Sequence, residues 1–272
     1  MKRVWLGLGS VLVLIAVGAY LWLRQAQQLP PATPAASPPR SAAPTPIAPP
    51  KPAISHPIEL PPGITDLPPA GQARDFIRDR LTELLGAKNV KTYILLDDFV
   101  RRVVATVDNL ARSLAPPKVW PIQQTPGRFT VETGGDGTFI GAKNDARYAP
   151  FVALVESVDS RRAVALYQRL YPLFQGAYEG IGYPGKYFND RLVEVIDLLL
   201  KTPEPAGRVK VELPEIRGPL KPTHPWLLYR YADPALEDLS GGQKILLRVG
   251  RENEKRLKLK LAEIRKLIAA GK

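Results

Sequence analysis

Two patterns of apolar and polar positions divide the chain. Residues 4–23, VWLGLGSVLVLIAVGAYLWL, carry no charge and are flanked by Lys2, Arg3 and Arg24. At 1.5 Å per residue the run makes about 30 Å of helix, the thickness of a bilayer's hydrocarbon. It predicts a membrane span. A cleaved secretory signal would have about 7–15 apolar residues ending in a small-x-small site, whereas this run continues through Tyr20, Leu21, Trp22 and Leu23 past AVGA, which favours an uncleaved anchor. Trp5, Tyr20 and Trp22 suit the two interfaces.

Helical spacing begins after Gly71. QARDFIRDRLTELL places Ala73, Ile77, Leu81 and Leu84 on one face and stops at Gly86. TYILLDDFVRRVVATVDNLARSL carries Leu96, Phe99, Val103, Val107, Leu110 and Leu114 in helical phase up to Pro116-Pro117. On its outer side Asp97 with Arg101, and Asp98 with Arg102, are spaced as i,i+4 pairs. The period then changes to two: RFTVET and TFIGAK flank GGDG, which predicts a hairpin whose turn needs positive φ.

Helical spacing returns in ARYAPFVALVESVD and in SRRAVALYQRLYPLFQGAYEGIG, where Tyr167, Tyr171, Phe174 and Tyr178 recur at 4, 3, 4 as a core face. Pro172 is expected to kink this helix or start a new segment. FNDRLVEVIDLLLK is expected to bury Phe188, Leu192, Val195 and Leu199, with Asp190, Glu194, Asp197 and Lys201 opposite. RVKVEL and WLLYRYAD read as two short strands that pair. The stretch 241–270 reads as helical, with a break at Gly250.

The fold class expected is therefore mainly α: a multi-helix globular domain with one or two short β-hairpins, preceded by a single transmembrane helix and a Pro-rich linker. The boundaries are 1–28 for the tail and span, 29–70 for a Pro/Ala-rich disordered linker, and 71–272 for a soluble, mostly helical domain with a basic C-terminal helix over 241–270. More than half of the 29 prolines fall in the linker, which favours an extended spacer at about 3.1 Å per residue.

Charge adds an orientation. Lys2, Arg3 and the amino terminus stand on one side of the span, and only Arg24 precedes Arg40 on the other, so the N-terminus is expected in the cytoplasm and the domain in a bacterial periplasm. Of the net charge of +12, residues 240–272 contribute ten basic against three acidic groups. In that helix Leu257, Leu261, Ile264 and Ile268 form an apolar face, and Lys255, Arg256, Lys258, Lys260, Arg265 and Lys266 fill the remainder. Such a helix packs on its own domain or meets an anionic lipid or polymer.

The letters LSGGQ at residues 239–243 match the signature of ATP-binding cassettes. That chemistry also needs a glycine-rich loop ending G-K-[ST], and the chain has none. No nucleotide and no other cofactor is expected. Ser240 and Gln243 instead form an S-x-x-Q capping box at the start of the last helical region.

RYAPFV, LYQRLYPLFQGAYEGIGYPGKYFNDRLVEVIDLLL and RYADPALEDLSGGQKILLRVG together resemble the bacterial membrane-anchored family known as domain of unknown function 3014. The resemblance covers roughly residues 95–250. It implies the outline of anchor, proline-rich linker and soluble domain, and brings no functional residues.

Inventory narrows the chemistry. With no cysteine, thiol nucleophiles and thiolate zinc sites are excluded. His56 lies in the linker, leaving His224 alone in the domain, which excludes H-E-x-x-H and multi-histidine metal sites. No G-x-S-x-G or S-x-x-K surrounds a serine. Asp145, Glu156, Glu179 and Asp190 lie near aromatics and keep a carboxylate-dependent peptidoglycan hydrolase as the alternative.

The binding candidates are Arg147 and Tyr148, with Asn144 and Asp145 beside them, and Asn189, Asp190 and Arg191, with Tyr187 beside them. In the plain structural reading Asn or Asp caps each helix and Arg pairs locally. In the functional one Arg147 and Arg191 converge on an anion. The function expected is a non-enzymatic, single-pass envelope protein attached to the inner membrane through residues 4–23. Its periplasmic domain would bind a partner protein or anionic polymer. Nucleic acid is not an expected partner, except under an inverted topology that leaves the domain in the cytoplasm.

Overall fold

The computed structural model describes residues 53–60, 67–69, 72–215 and 223–269. The expected span at 4–23 and most of the linker lie outside them. Among the described residues no helix is long and apolar enough to cross a membrane. The described domain is mainly helical, with two small two-stranded antiparallel sheets.

Helix α1 (Ala73–Leu85) buries Ala73, Ile77 and Leu81 and ends at Gly86, whose φ of 82° suits glycine. The next periodic stretch divides where one helix was expected. Helix α2 (Ala87–Tyr93) stops, Ile94 bridges to Ile122, and α3 (Phe99–Leu110) starts after Asp98, a non-glycine residue at φ 52°. The break carries Asp97 to Arg74 at 3.0 Å, and Arg102 donates to the carbonyls of Asp97, Lys118 and Trp120. Neither expected i,i+4 pair is the bond formed. Leu114, though in phase, lies beyond the end of α3 and is 73% exposed.

Strands β1 (Val131–Gly134) and β2 (Gly137–Ile140) form the expected hairpin, with Gly134 opposite Gly137. The positive φ falls at Gly137, just past the turn, where a Cβ would also come 2.5 Å from Lys210 Cε. Helix α4 (Lys143–Ser157) follows, then α5 (Ser160–Gly180), capped by Asp159 and continuous through Pro172. Its stripe of Tyr171, Phe174 and Tyr178 is core, as the spacing predicts. Burial raises the phenols of Tyr167 and Tyr171 well above their ordinary range and that of Tyr178 to about 12, so all three act as neutral groups.

Helix α6 (Phe188–Leu200) buries Phe188, Val193, Val195, Ile196 and Leu199, while Leu192 is only partly covered. Phe188 is 1% exposed, burial worth about 1.5–3 kcal/mol. Strands β3 (Val211–Glu212) and β4 (Arg230–Tyr231) pair, and a bridge from Phe139 to Lys210 links the two ribbons. A short helix α7 (Pro234–Glu237) precedes α8 (Gly241–Arg248) and α9 (Arg251–Ala269).

The LSGGQ letters are accounted for one by one. Leu239 packs beside Val211, Tyr231 and Leu247. Ser240 Oγ accepts from the Gln243 amide, and Gln243 Oε1 accepts from the Ser240 amide, which completes the capping box. A Cβ on Gly241 would stand 2.7 Å from the Ala115 nitrogen, and one on Gly242 would stand 2.6 Å from Leu199 Cδ2. The glycines therefore let α8 start in close contact with α3 and α6.

Gly250 separates α8 from α9 with φ 91°, and its missing Cβ leaves room for the Asp145 carboxyl. The apolar face of α9 is packed on α4, α5 and α6: Leu257 and Leu261 join the main core, and Leu261, Ile264 and Ile268 a second cluster. Among the described residues four of its seven cations are paired. Arg256 pairs with Glu156, Lys258 with Glu204 and Glu254, Lys260 with Glu263, and Arg265 with Asp197.

Candidate functional site

The polar groups at the starts of α4 and α6 occupy equivalent places with different surroundings. Asn144 and Asn189 are fully buried, and neither caps its helix. Asn144 accepts from the Thr130 amide and donates to the carbonyls of Thr130 and Gly141, which fixes α4 to the hairpin. Asn189 accepts from Tyr167 Oη and donates to the carbonyls of His56 and Ile268, which joins α5, α6, α9 and the 53–60 segment. Leaving any of these groups unsatisfied would cost about 1–3 kcal/mol.

Asp190 and Tyr187 hold that same segment. The amides of Ser55 and His56 donate to Asp190 at 3.0 and 2.7 Å, and the Ile58 amide donates to Tyr187 Oη at 2.9 Å. Ile58 itself packs into both apolar clusters. Residues 53–60, part of the stretch read as linker, thus form a strap bound across the start of α6.

Arg191 bonds to α3 instead. Its Nη2 donates to the Asp108 carboxylate at 3.1 Å and its Nη1 pairs with Glu194 at 2.9 Å. Asp108, 3% exposed, also accepts from Arg112 at 2.6 Å and from Tyr183 Oη. Burial works against the Arg191 charge, but Glu194 and Asp108 together hold its pKa above the ordinary value. Asp108, Tyr183, Arg191 and Glu194 line a cavity of about 340 Å³ in which Arg191 is answered by carboxylates.

Arg147 and Tyr148 lie elsewhere. They line a second cavity, about 310 Å³, whose aromatic wall is Trp120, Phe129, Tyr148, Phe151, Trp226 and Tyr229. Arg147 and Arg191 therefore do not meet. The second cation of this cavity is Arg248, from α8, and no acidic residue is part of the lining. Arg147 donates to the carbonyls of Pro126 and Gly127 and to Asn144 Oδ1, and its guanidinium lies 5.1 Å from the Tyr148 ring. Arg248 Nη2 donates to the Tyr229 carbonyl at 2.8 Å, with the rings of Phe129 and Tyr231 at 5.8 and 5.5 Å. Among the described residues neither arginine forms an ion pair with a carboxylate.

Sequence reasoning found Arg147 and Tyr148 but not Trp120, Trp226 or Arg248. A signal was present: both tryptophans sit in proline-punctuated segments, KVWPIQQTP and THPWLLY, where no helical stripe explains a large ring. His224 is an edge neighbour of Trp226 at 5.0 Å, and its Nδ1 bonds the Thr223 hydroxyl. The four carboxylates considered for hydrolysis are engaged in separate places. Asp145 packs against Gly250, and its pKa is raised by burial. Glu156 pairs with Arg256, Glu179 accepts from Gln175, and Asp190 holds the strap.

Fold and site together define a class: a helical domain with a cation-bearing aromatic cavity. The chain belongs to the family described as Protein of unknown function (DUF3014), which matches residues 99–265, more than half of its length. The walls of the aromatic cavity lie wholly within the matched stretch, and the strap lies outside it. No curated protein and no solved structure matches the chain.

Proposed function

We propose that this protein is a single-pass envelope protein anchored in a bacterial inner membrane through residues 4–23, with its N-terminus cytoplasmic and its domain periplasmic. The domain is a non-enzymatic binding module that takes an anionic envelope component at the aromatic cavity. The observation that carries this reading is the pairing of two guanidiniums with six aromatic rings in a wall that has no carboxylate. Such sites are mostly apolar with a few placed polar groups that fix orientation. A carboxylate-dependent hydrolase has less support, because Asp145, Glu156, Glu179 and Asp190 each serve a packing or hydrogen-bonding role in a different place.

The test uses the full chain in detergent micelles with isolated bacterial envelope material, followed by sedimentation and assay of released glycan. The wild-type chain is expected to sediment with the envelope, the Arg147→Gln/Arg248→Gln chain to stay behind, and no soluble glycan to appear. Released glycan, or sedimentation unaffected by the double substitution, overturns the reading. A reporter active only outside the cytoplasm, fused after Lys272, tests the topology separately.

A further inference from the structure

We infer that the aromatic cavity is built for one small amphipathic anion, a single carboxylate- or phosphate-type head on a compact apolar body, rather than for a length of polymer. This inference rests on the binding-module reading and narrows its ligand. The first argument is size. At about 310 Å³ the cavity lies at the low end of the range for small-molecule sites, about 300–1,000 Å³. It has room for one molecule.

The second argument is charge. The guanidiniums of Arg147 and Arg248 are oriented by the carbonyls of Pro126, Gly127 and Tyr229, which are acceptors without net charge. Two half-buried cations without a carboxylate partner among the described residues therefore stand beside an apolar wall, where an anion would gain charge-assisted bonds. The wall is also short of acceptors: Trp120 Nε1 and Arg248 Nε are buried donors with no hydrogen-bond partner. Buried donors are rarely left unsatisfied, so a ligand that brings acceptors is favoured.

The third argument is the contrast with neighbouring cavities. The 340 Å³ cavity at α6 has its arginine held by Asp108 and Glu194. A groove of about 740 Å³ between α1, α3 and α5 has Arg74 answered by Asp97 at 3.0 Å. Only the aromatic cavity, of these three, combines net positive charge with a ring-lined wall. The rings supply flat faces for an apolar body, and the guanidiniums supply charge-assisted bonds for its head.

Fluorescence tests this directly. Of the four tryptophans, Trp5 and Trp22 are replaced by Phe in the full chain, so that the two remaining indoles both belong to the cavity wall. The probe is 8-anilino-1-naphthalenesulfonate, an aromatic anion that accepts excitation from tryptophan. Saturable binding of one probe per chain with energy transfer from the indoles is expected, and N-phenyl-1-naphthylamine, the same rings without the sulfonate, is expected to bind roughly tenfold or more weakly. That comparison needs no cavity variant, so it stands even if Arg147→Gln or Arg248→Gln disturbs folding; each of these is expected to weaken the anion and leave the neutral analogue nearly unchanged. Dodecanoate and 2-naphthoate are then used as competitors. Displacement by the first assigns the anion to an acyl source, and displacement by the second alone assigns it to an aromatic one. Equal binding of anion and neutral analogue, or displacement by neither competitor, overturns the inference. If that happens while sedimentation with envelope material persists, the small-ligand inference fails and the broader binding reading remains.

Discussion

Helix α9 and the aromatic cavity both gather positive charge, and they use it in opposite ways. On α9, Arg256, Lys258, Lys260 and Arg265 each meet a carboxylate, and the apolar face is packed against α4, α5 and α6. In the cavity, Arg147 and Arg248 meet carbonyls and rings. Charge density along a sequence is therefore a poor guide to charge available for binding. Of the ten basic residues over 240–272, Lys244, Arg256, Lys258, Lys260 and Arg265 meet carboxylates, whereas Arg248 turns to the cavity that also holds Arg147, a hundred positions earlier.

The contrast can be tested first at a buried paired charge. Asp108→Ala removes the common acceptor of Arg112, Arg191 and Tyr183, and breaking such a buried pair costs about 3–5 kcal/mol. Urea denaturation should show this loss, while the probe's affinity for the aromatic cavity measured on the folded fraction stays unchanged. Next in size is Gly250→Ala. Here a left-handed φ of 91° and a Cβ only 2.0 Å from Asp145 Oδ1 predict a loss of about 1–3 kcal/mol as overpacking, together with weakened protection of the α8–α9 junction in hydrogen exchange.

Ser240→Ala follows, at about 1 kcal/mol, because it deletes the Oγ that accepts from the Gln243 amide. Thermal melts monitored by circular dichroism suffice, and no change would contradict the structural account of LSGGQ. The smallest effect belongs to the surface pairs of α9. Arg256 and Lys258 lower the pKa of Glu156 and Glu204, Arg265 lowers that of Asp197, and Ser160 with Lys260 lowers that of Glu263. A depressed folded pKa contributes stability that is complete above the unfolded value and lost as pH falls through the folded one. The ordinary values are 4.5 for Glu and 3.8 for Asp, so protection of α9 amides should hold at neutral pH and decline below about pH 4.5. Buried Glu254 opposes the trend, since burial raises its pKa despite Lys258. High salt should weaken the same contribution.

Much of the fold was legible because its causes are local. The capping box at Ser240 and Gln243, the break at Gly250 and the core stripe on α5 are each set by residues within two turns. The division of α2 from α3 was not, because Leu96 and Phe99 keep helical phase while Ile94 is drawn to Ile122 and Asp98 takes a left-handed conformation. Leu114 shows the same limit: its phase is right, but α3 ends before it.

The site was legible only in part, for the same reason at longer range. Arg147 and Tyr148 were found through their place at a helix start, yet their partners arrive from the 120s, the 220s and α8. Asn189 and Asp190 have the composition of a binding site, and their polar groups are engaged by the chain's own 53–60 segment. No spacing rule reports a contact more than a hundred residues away.

The central proposal is that an anion is taken by the aromatic cavity rather than by the basic helix α9. Anomalous diffraction from crystals of the protein soaked in 4-iodobenzoate tests it most directly. The account predicts an iodine peak among Trp120, Tyr148 and Trp226 with the carboxylate toward Arg147 and Arg248. Peaks distributed along α9 with the cavity empty would contradict it.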